Sequence, residues 1–252
     1  MKKIILTVAF ASFLFGVAKA QDDKAFHKGT ITIDPSIGFA IYGTKIHTEF
    51  DEDYWAGSSI ATRRVVEDTT DGAGATIFGL NGEYGLTDWL GLGFRFGFSK
   101  YIAEEEHDTV YAGSTQTTYN YQPKVRSIDF GLDVNFHLVK GKRFDMPICL
   151  TVGYSNFKYS QNNPDTDPSS NDNSGAGGKD NGMNYGIHLK PKIYFGKTQH
   201  VGLAFHLGYM GYTYPSILFS NNSDSNLNDE NNWQYKLKGN GFNIGIGLSA
   251  KF

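Results

Sequence analysis

A single cysteine, Cys149, stands in 252 residues, so no disulfide can form within the chain. There is no excess of basic residues either. Lys and Arg number 23 against 26 Asp and Glu, a formal charge of −3. That balance argues against nucleic acid as a partner, which would call for a basic patch. Beyond the first 20 positions no apolar run approaches the ~20 residues that a membrane-spanning helix needs. A mean hydropathy of −0.37 likewise excludes a bundle of such helices. What the chain has in quantity is glycine, with 30 residues, and aromatic side chains, at 15%. Both are high for an ordinary globular domain, where glycine runs near ~7%.

The N-terminus reads as an export signal. Met1-Lys2-Lys3 is a basic head, Ile4 to Val17 is a short apolar stretch, and Ala18-Lys19-Ala20 is a small-residue cleavage site. Residues 1–20 are therefore assigned to a signal peptide and residues 21–252 to one domain. Loss of Lys2, Lys3 and Lys19 takes the formal charge from −3 to −6. Gln21 stands where a lipoprotein would carry cysteine, so no lipid anchor is expected.

Alternation with a period of two dominates the rest. In the last segment Phe242, Ile244, Ile246, Leu248, Ala250 and Phe252 fall on one strand face, and Asn243, Gly245, Gly247, Ser249 and Lys251 on the other. The clearest case is Val125–Val139, where Ile128, Phe130, Leu132, Val134, Phe136 and Leu138 alternate with Asp129, Gly131, Asp133, Asn135 and His137. Similar strands are expected near Thr30–Gly43, Ala73–Leu86, Leu90–Tyr101, Pro147–Tyr159, Asn184–Phe195 and His200–Tyr212. The apolar faces hold no Asp, Glu, Lys or Arg, while the opposite faces hold several. A charge facing lipid at mid-membrane costs ~2–4 kcal/mol, so this exclusion is what a membrane wall requires. Pro35 and Pro191 sit awkwardly on the apolar face and are expected at strand ends or bulges.

The pattern predicts an all-β fold, a transmembrane antiparallel up-and-down β-barrel of about eight strands. Connections alternate in length. Short turns lie at 87–89, 140–144 and 196–199, and long loops at roughly 44–72, 102–122, 160–183 and 213–238. With a periplasmic N-terminus, every long loop falls outside the cell and every short turn inside. Asn162–Asn184 and Ser220–Asn232 are rich in polar residues and are expected to be mobile tips.

The hairpin Gly79-Leu80-Asn81-Gly82-Glu83-Tyr84-Gly85-Leu86-Thr87-Asp88-Trp89-Leu90-Gly91-Leu92-Gly93-Phe94 resembles that of small outer-membrane barrels of the OmpA, OmpX and OmpW type. Lys28-Gly29-Thr30-Ile31 and the Asn-rich loops are similar to the Bacteroidota branch of the outer-membrane β-barrel domain family. The resemblance implies a bacterial outer-membrane location, with membrane lipid and lipopolysaccharide as surroundings. The aromatic carboxy-terminal Phe252 is similar to the signal that barrel-assembly machinery reads.

Chemistry candidates concentrate on the inward faces: Asn81, Glu83, Arg95, Asp129, Asp133, His137, His188, Lys190, Lys192, Tyr194 and His206. In so small a barrel side chains fill the lumen, and buried charges need partners whatever the protein does. Pairing Leu86 with Leu90 places Asn81 opposite Arg95 and Glu83 one neighbour away, so a Glu83–Arg95 contact is expected. The histidines lack the carboxylate or thiolate company of a strong metal site, so no metal or other cofactor is assigned. His47, His107, Ser58, Ser59, Asp51 and Glu104–Glu106 fall in outer loops without the ordered nucleophile and base of a barrel enzyme. The expected role is therefore non-enzymatic, in envelope integrity or surface interaction through the outer loops. A narrow porin-like channel for small or apolar solutes, which the resemblance also implies, and a part in a secretion or assembly complex are the alternatives.

Overall fold

The computed structural model describes residues 24–57, 59–102, 106–112, 115–162, 177–196, 198–220 and 233–252. Ten strand segments make eight passages: β1 (Ile31–Ala56), β2 (Ser59–Gly85), β3 (Leu90–Ile102) with β4 (Glu106–Ala112), β5 (Thr115–Lys140), β6 (Phe144–Asn162), β7 (Gly177–Leu189) with β8 (Lys192–Phe195), β9 (Val201–Ser220) and β10 (Trp233–Lys251). No helix occurs among the described residues. Each passage pairs antiparallel with its sequence neighbours, and β1 pairs with both β2 and β10, so the sheet closes on itself.

The stagger can be counted from the register. Following partners from Ile33 through Gly82, Phe94, Leu132, Val152, Tyr185, Gly211 and Asn240 leads back to β1 at Gly43, ten residues further on. Ten residues of shear over eight strands set a tilt of about 40°. A barrel of that size has an interior just wide enough for side chains to fill.

Burial is inverted relative to a water-soluble protein. Ile41, Phe94, Leu132, Val152, Ile187, Phe242 and Leu248 are all at least half exposed, while Asp34, Glu83, Asp129, Asp133, Asp145, His137, Lys190 and Lys192 are buried. Exposed apolar side chains form a continuous band around every passage, far beyond the few hundred Å² a soluble monomer leaves uncovered. Hydrocarbon is the solvent that such a wall fits, and a closed barrel is the β-structure whose backbone needs nothing from it. The fold is a transmembrane β-barrel.

Two features of the loops differ from expectation. Segments 44–56 and 59–72 are not loop but the outer halves of β1 and β2, paired residue by residue up to Ala56 and Ser59. Likewise 106–112 pairs with 115–121, and β9 runs on through Ser220. Their polar composition hid them, because beyond the membrane a strand has no apolar face to show. The polar tips proper, 163–176 and 221–232, lie outside the described residues, as does the signal segment. The short turns fall between Gly85 and Leu90, Lys140 and Phe144, and Phe195 and Val201.

The prolines interrupt the ladder without moving it. β6 pairs with β7 at Ile148–Leu189 and with β8 at Phe144–Ile193 in one register, so Pro191 breaks the passage for lack of an N–H. Pro35 pairs with Leu80 on β2, but the ladder to β10 is open between Ile33 and Ser36.

Candidate functional site: the sealed lumen

Inward-facing side chains fill the barrel in three layers, beginning at the end with the short turns. There the segment ahead of β1 folds back into the mouth. Ala25 N–H donates to Gly141 O at 2.8 Å and Gly29 N–H to Gly85 O at 2.8 Å. These bonds carry Phe26, fully buried, onto the His137 ring, with centroids 3.3 Å apart and planes 6° from parallel.

Beneath Phe26 lies an ionic cluster. His137 Nε2 meets Glu83 Oε1 at 2.7 Å and Nδ1 meets Asp145 Oδ1 at 2.8 Å. The ring can bond both carboxylates only as an imidazolium, donating from each nitrogen. Lys192 Nζ bridges Asp34 at 2.8 Å and Glu83 at 3.4 Å, and donates to Thr32 Oγ1 at 3.1 Å. Ser249 Oγ donates to Asp34 Oδ1 at 2.5 Å. Three acids thus share two cations within one buried network, each with further hydrogen bonds to offset desolvation.

The middle layer carries Asp133, held by Lys190 at 2.8 Å and by Thr151 Oγ1 at 2.7 Å. Arg95 crosses the lumen instead of turning to its own neighbours. Its Nη1 donates to His188 Nε2 at 2.8 Å and its Nη2 approaches Met210 Sδ at 2.8 Å. Asn81, Arg95, His188, Lys190, His206 and Asn243 line a cavity of about 50 Å³. Asn81 Oδ1, His206 Nε2 and Asn243 Nδ2 make no hydrogen bond within the protein. A cavity of that size, with three unpaired polar groups among its lining residues, has room for roughly three waters.

The expected Glu83–Arg95 contact is not made. Asn81 does stand opposite Arg95 in the register, but Glu83 lies over Gly91, towards His137 and Lys192. A Cβ at residue 91 would sit 2.1 Å from Glu83 Oε1, so the missing side chain is what lets the carboxylate lie there. Gly208 does the same for His188, whose Nδ1 occupies space 2.2 Å from where a Cβ would be.

The outer layer changes chemistry. Asp129 accepts from Ser155 and from Tyr212 at 3.3 Å, and Ser155 bonds the Tyr214 hydroxyl at 2.7 Å. Above them Tyr42, Tyr101, Tyr212, Tyr214 and Phe157 pack ring against ring, with Tyr42–Tyr212 edge-on at 5.5 Å and Phe157–Tyr214 at 5.0 Å. These rings close the lumen on the side of the long hairpins.

Of the residues singled out in the sequence, Asn81, Glu83, Asp129, Asp133, His137, His188, Lys190, Lys192 and Tyr194 are buried in the lumen, and Arg95 and His206 are half-buried beside the cavity. Sequence reasoning missed Asp34, Asp145, Thr32 and the tyrosine cluster. Asp34 was legible from the same alternation, since it lies one residue from the outward Ile33. Phe26 carried no periodic signal, because it belongs to no strand. Among the described residues no group of three His, Cys, Asp or Glu is placed to hold a metal ion.

Outside the membrane band a second charged group sits on the outer part of β1 and β2. His47 is held between Asp68 Oδ1 at 2.7 Å and Glu49 Oε1 at 2.9 Å. Arg64 meets Glu49 Oε2 at 2.6 Å and Lys236 meets Oε1 at 3.3 Å. The bonds from Asp68 first, then Glu49, raise the His47 pKa above the ordinary value, and Arg64 leads the groups that pull Glu49 down to about 2.

The fold and its interior define a small transmembrane barrel whose lumen is filled by side chains. No protein-family model and no curated protein matches this chain. Among solved structures it is similar to the outer membrane protein OprG of Pseudomonas aeruginosa, at 16% identity, covering 90% of this chain and 97% of that one, with a TM-score of 0.47. It is also similar to Ail, the attachment invasion locus protein of Yersinia pestis, at 12% identity over 89% and 99%, TM-score 0.39. Neisserial surface protein A matches at 13% identity over 85% and 97%, TM-score 0.37.

Proposed function

We propose that the chain is a non-enzymatic barrel of the bacterial outer membrane that does not conduct, and whose work is done by its outer hairpins and its rim. The observation that carries this reading is the lumen, filled from Phe26 through the ion pairs to the tyrosine cluster. A solute path would need an uninterrupted polar bore, whereas the cavity beside Arg95 in the middle of the lumen is of about 50 Å³. The buried charges are held in hydrogen-bonded networks, with three acids sharing His137 and Lys192 at one end and Asp133 held by Lys190 in the middle, as a wall-filling network requires. The long paired extensions of β1, β2, β4 and β5 then stand clear of the membrane as a polar platform suited to surface contact.

Conductance of the purified protein in planar bilayers tests it. The expected record is flat, with at most rare flickers. Steady nanosiemens-scale steps would establish a channel instead. Orientation is tested separately by protease on intact cells. Cleavage is expected within 163–176 or 221–232 and not at the turns 87–89 or 196–199, and the reverse pattern would turn the barrel over.

A further inference from the structure

Four basic residues stand side by side across four consecutive strands. The register pairs Lys100 of β3 with Arg126 of β5, Arg126 with Lys158 of β6, and Lys158 with Lys179 of β7. All four are exposed on the outer surface of the wall. Among the described residues none has an ion pair or side-chain hydrogen bond to balance it. Like charges directly opposite one another across strands are destabilising, so a row of four without an acid is a cost with no return inside the protein.

Its position supplies the return. The row begins at the upper edge of the apolar band: Phe98 lies two residues below Lys100 and Ile128 two below Arg126, both on the lipid face, with Ile102 above Lys100 on β3. Strands ~4.8 Å apart put about 14 Å between the ends of the row. The tilt of about 40° makes it climb about 9 Å from Lys100 to Lys179, away from the band and towards the long hairpins. That is the depth of a headgroup layer. Below Lys158 and Lys179 the wall is already polar. Asn156 Nδ2 donates to Asn181 Oδ1 at 2.7 Å, and the hydroxyl of Tyr154 donates to the same oxygen. Exposed amides there can bond sugar hydroxyls.

From this we infer a lipid-binding face: the row Lys100–Arg126–Lys158–Lys179 seats the phosphate groups of an anionic, phosphorylated glycolipid of the outer leaflet, its acyl chains lying along Phe96, Phe130 and Val152. The inference rests on the outward orientation of the long hairpins given under the proposed function. Basic side chains and phosphates at a membrane surface attract strongly, and each such residue is worth about a five-fold change in binding. On β2 and β9 the outward residues where the band ends are Thr76 and Thr213, without charge. On β1 and β10 the exposed Lys45 and Lys238 face each other across the seam, a shorter pair in which Lys45 is balanced by Asp68 at 3.6 Å.

Native mass spectrometry of the detergent-released protein tests the face. Bis-phosphorylated lipid A and its dephosphorylated form are offered in equal amounts. The wild-type chain is expected to retain the phosphorylated form preferentially, and Arg126→Gln with Lys158→Gln to lower that preference roughly twenty-fold. Arg126→Lys should keep it, and a heat-modifiability gel shows that each variant is folded. Inorganic phosphate should compete poorly, since it brings no acyl chains to the band. Equal retention of the two lipids, an unchanged preference in the double variant, or full displacement by inorganic phosphate would each overturn the proposal. Preference for phosphatidylglycerol over lipid A would place the face in the inner leaflet and fail the orientation, whereas equal indifference to all three lipids would fail the site alone.

Discussion

The two ends of the lumen meet one demand with different chemistries. Near the short turns the space is closed by charge, with Glu83, Asp34 and Asp145 around His137 and Lys192 and a single ring, Phe26, as lid. Near the long hairpins it is closed by tyrosines and Phe157 in edge and stacked contacts. Ions in a network are interdependent, because removing one strands its partners in a dry interior. Aromatic contacts are close to independent, each contributing its own area and no debt to its neighbour. The lower end is therefore brittle and the upper end tolerant.

The sharpest way to break that contrast is Lys192→Met. It leaves Asp34 without its cation and Glu83 with His137 alone, and unfolding in urea from lipid vesicles should show a loss of about 3–5 kcal/mol. A loss below ~1 kcal/mol would mean that the lower cluster is not interdependent. Leu248→Arg asks the same question of the outer wall, where charge has no partner at all. It should cost about 2 kcal/mol, towards the low end of the range because Leu248 is only four residues from the carboxy terminus. A neutral effect would place that residue outside the membrane. At the upper end Tyr212→Phe removes donation to Asp129 while keeping the ring, and should cost about 1 kcal/mol. A cost as large as that of Lys192→Met would erase the distinction between the two ends.

The smallest effect is expected beyond the membrane, at His47. Its pKa is raised by Asp68 and Glu49, so the stabilisation it lends to the hairpin is complete below the ordinary histidine range near ~6.5. That stabilisation is lost as pH rises through the raised value. Glu49 has the opposite sign, its contribution present above ~4.5 and lost only as pH falls towards about 2. An NMR titration of the His47 ring should show a midpoint above that of a free histidine, and His47→Gln should remove this pH dependence from hairpin amide exchange. A midpoint at or below the free value would show the ring unpaired in solution.

The strands of the wall were legible because lipid and lumen impose opposite chemistries on alternate residues. Asp129, Asp133 and His137 needed only the alternation beside Phe130, Leu132 and Phe136 to be placed inside. Partnership was less legible. Register alone brings Arg95 opposite Asn81, and Glu83 within apparent reach of Arg95. The outcome turned on Gly91, whose missing Cβ gives the carboxylate a different bed, and on His188 and Met210, which reach Arg95 from across the bore. Such contacts depend on barrel radius and stagger, which no single hairpin encodes. The outer halves of β1 and β2 escaped for another reason: once clear of the membrane, both faces see water and the two-residue period vanishes.

The seam between first and last passages has a kinetic consequence. Ile31 N–H donates to Phe252 O at 3.0 Å and Phe252 N–H to Ile31 O at 2.9 Å, so the terminal residue fastens the start of β1. Hairpins such as β1–β2 can zip as soon as both arms exist, but β1 and β10 must find each other across nearly the whole length of the chain. Contacts so distant in sequence form slowly. Until they form, two rows of backbone donors and acceptors stand open, in a medium that offers them nothing. An unclosed barrel therefore carries both open edges until β1 and β10 pair. Deleting Phe252 removes both bonds and one apolar side chain, a modest loss of ~1.5–3 kcal/mol to the finished wall. Its greater weight falls on the rate at which the open edges find one another.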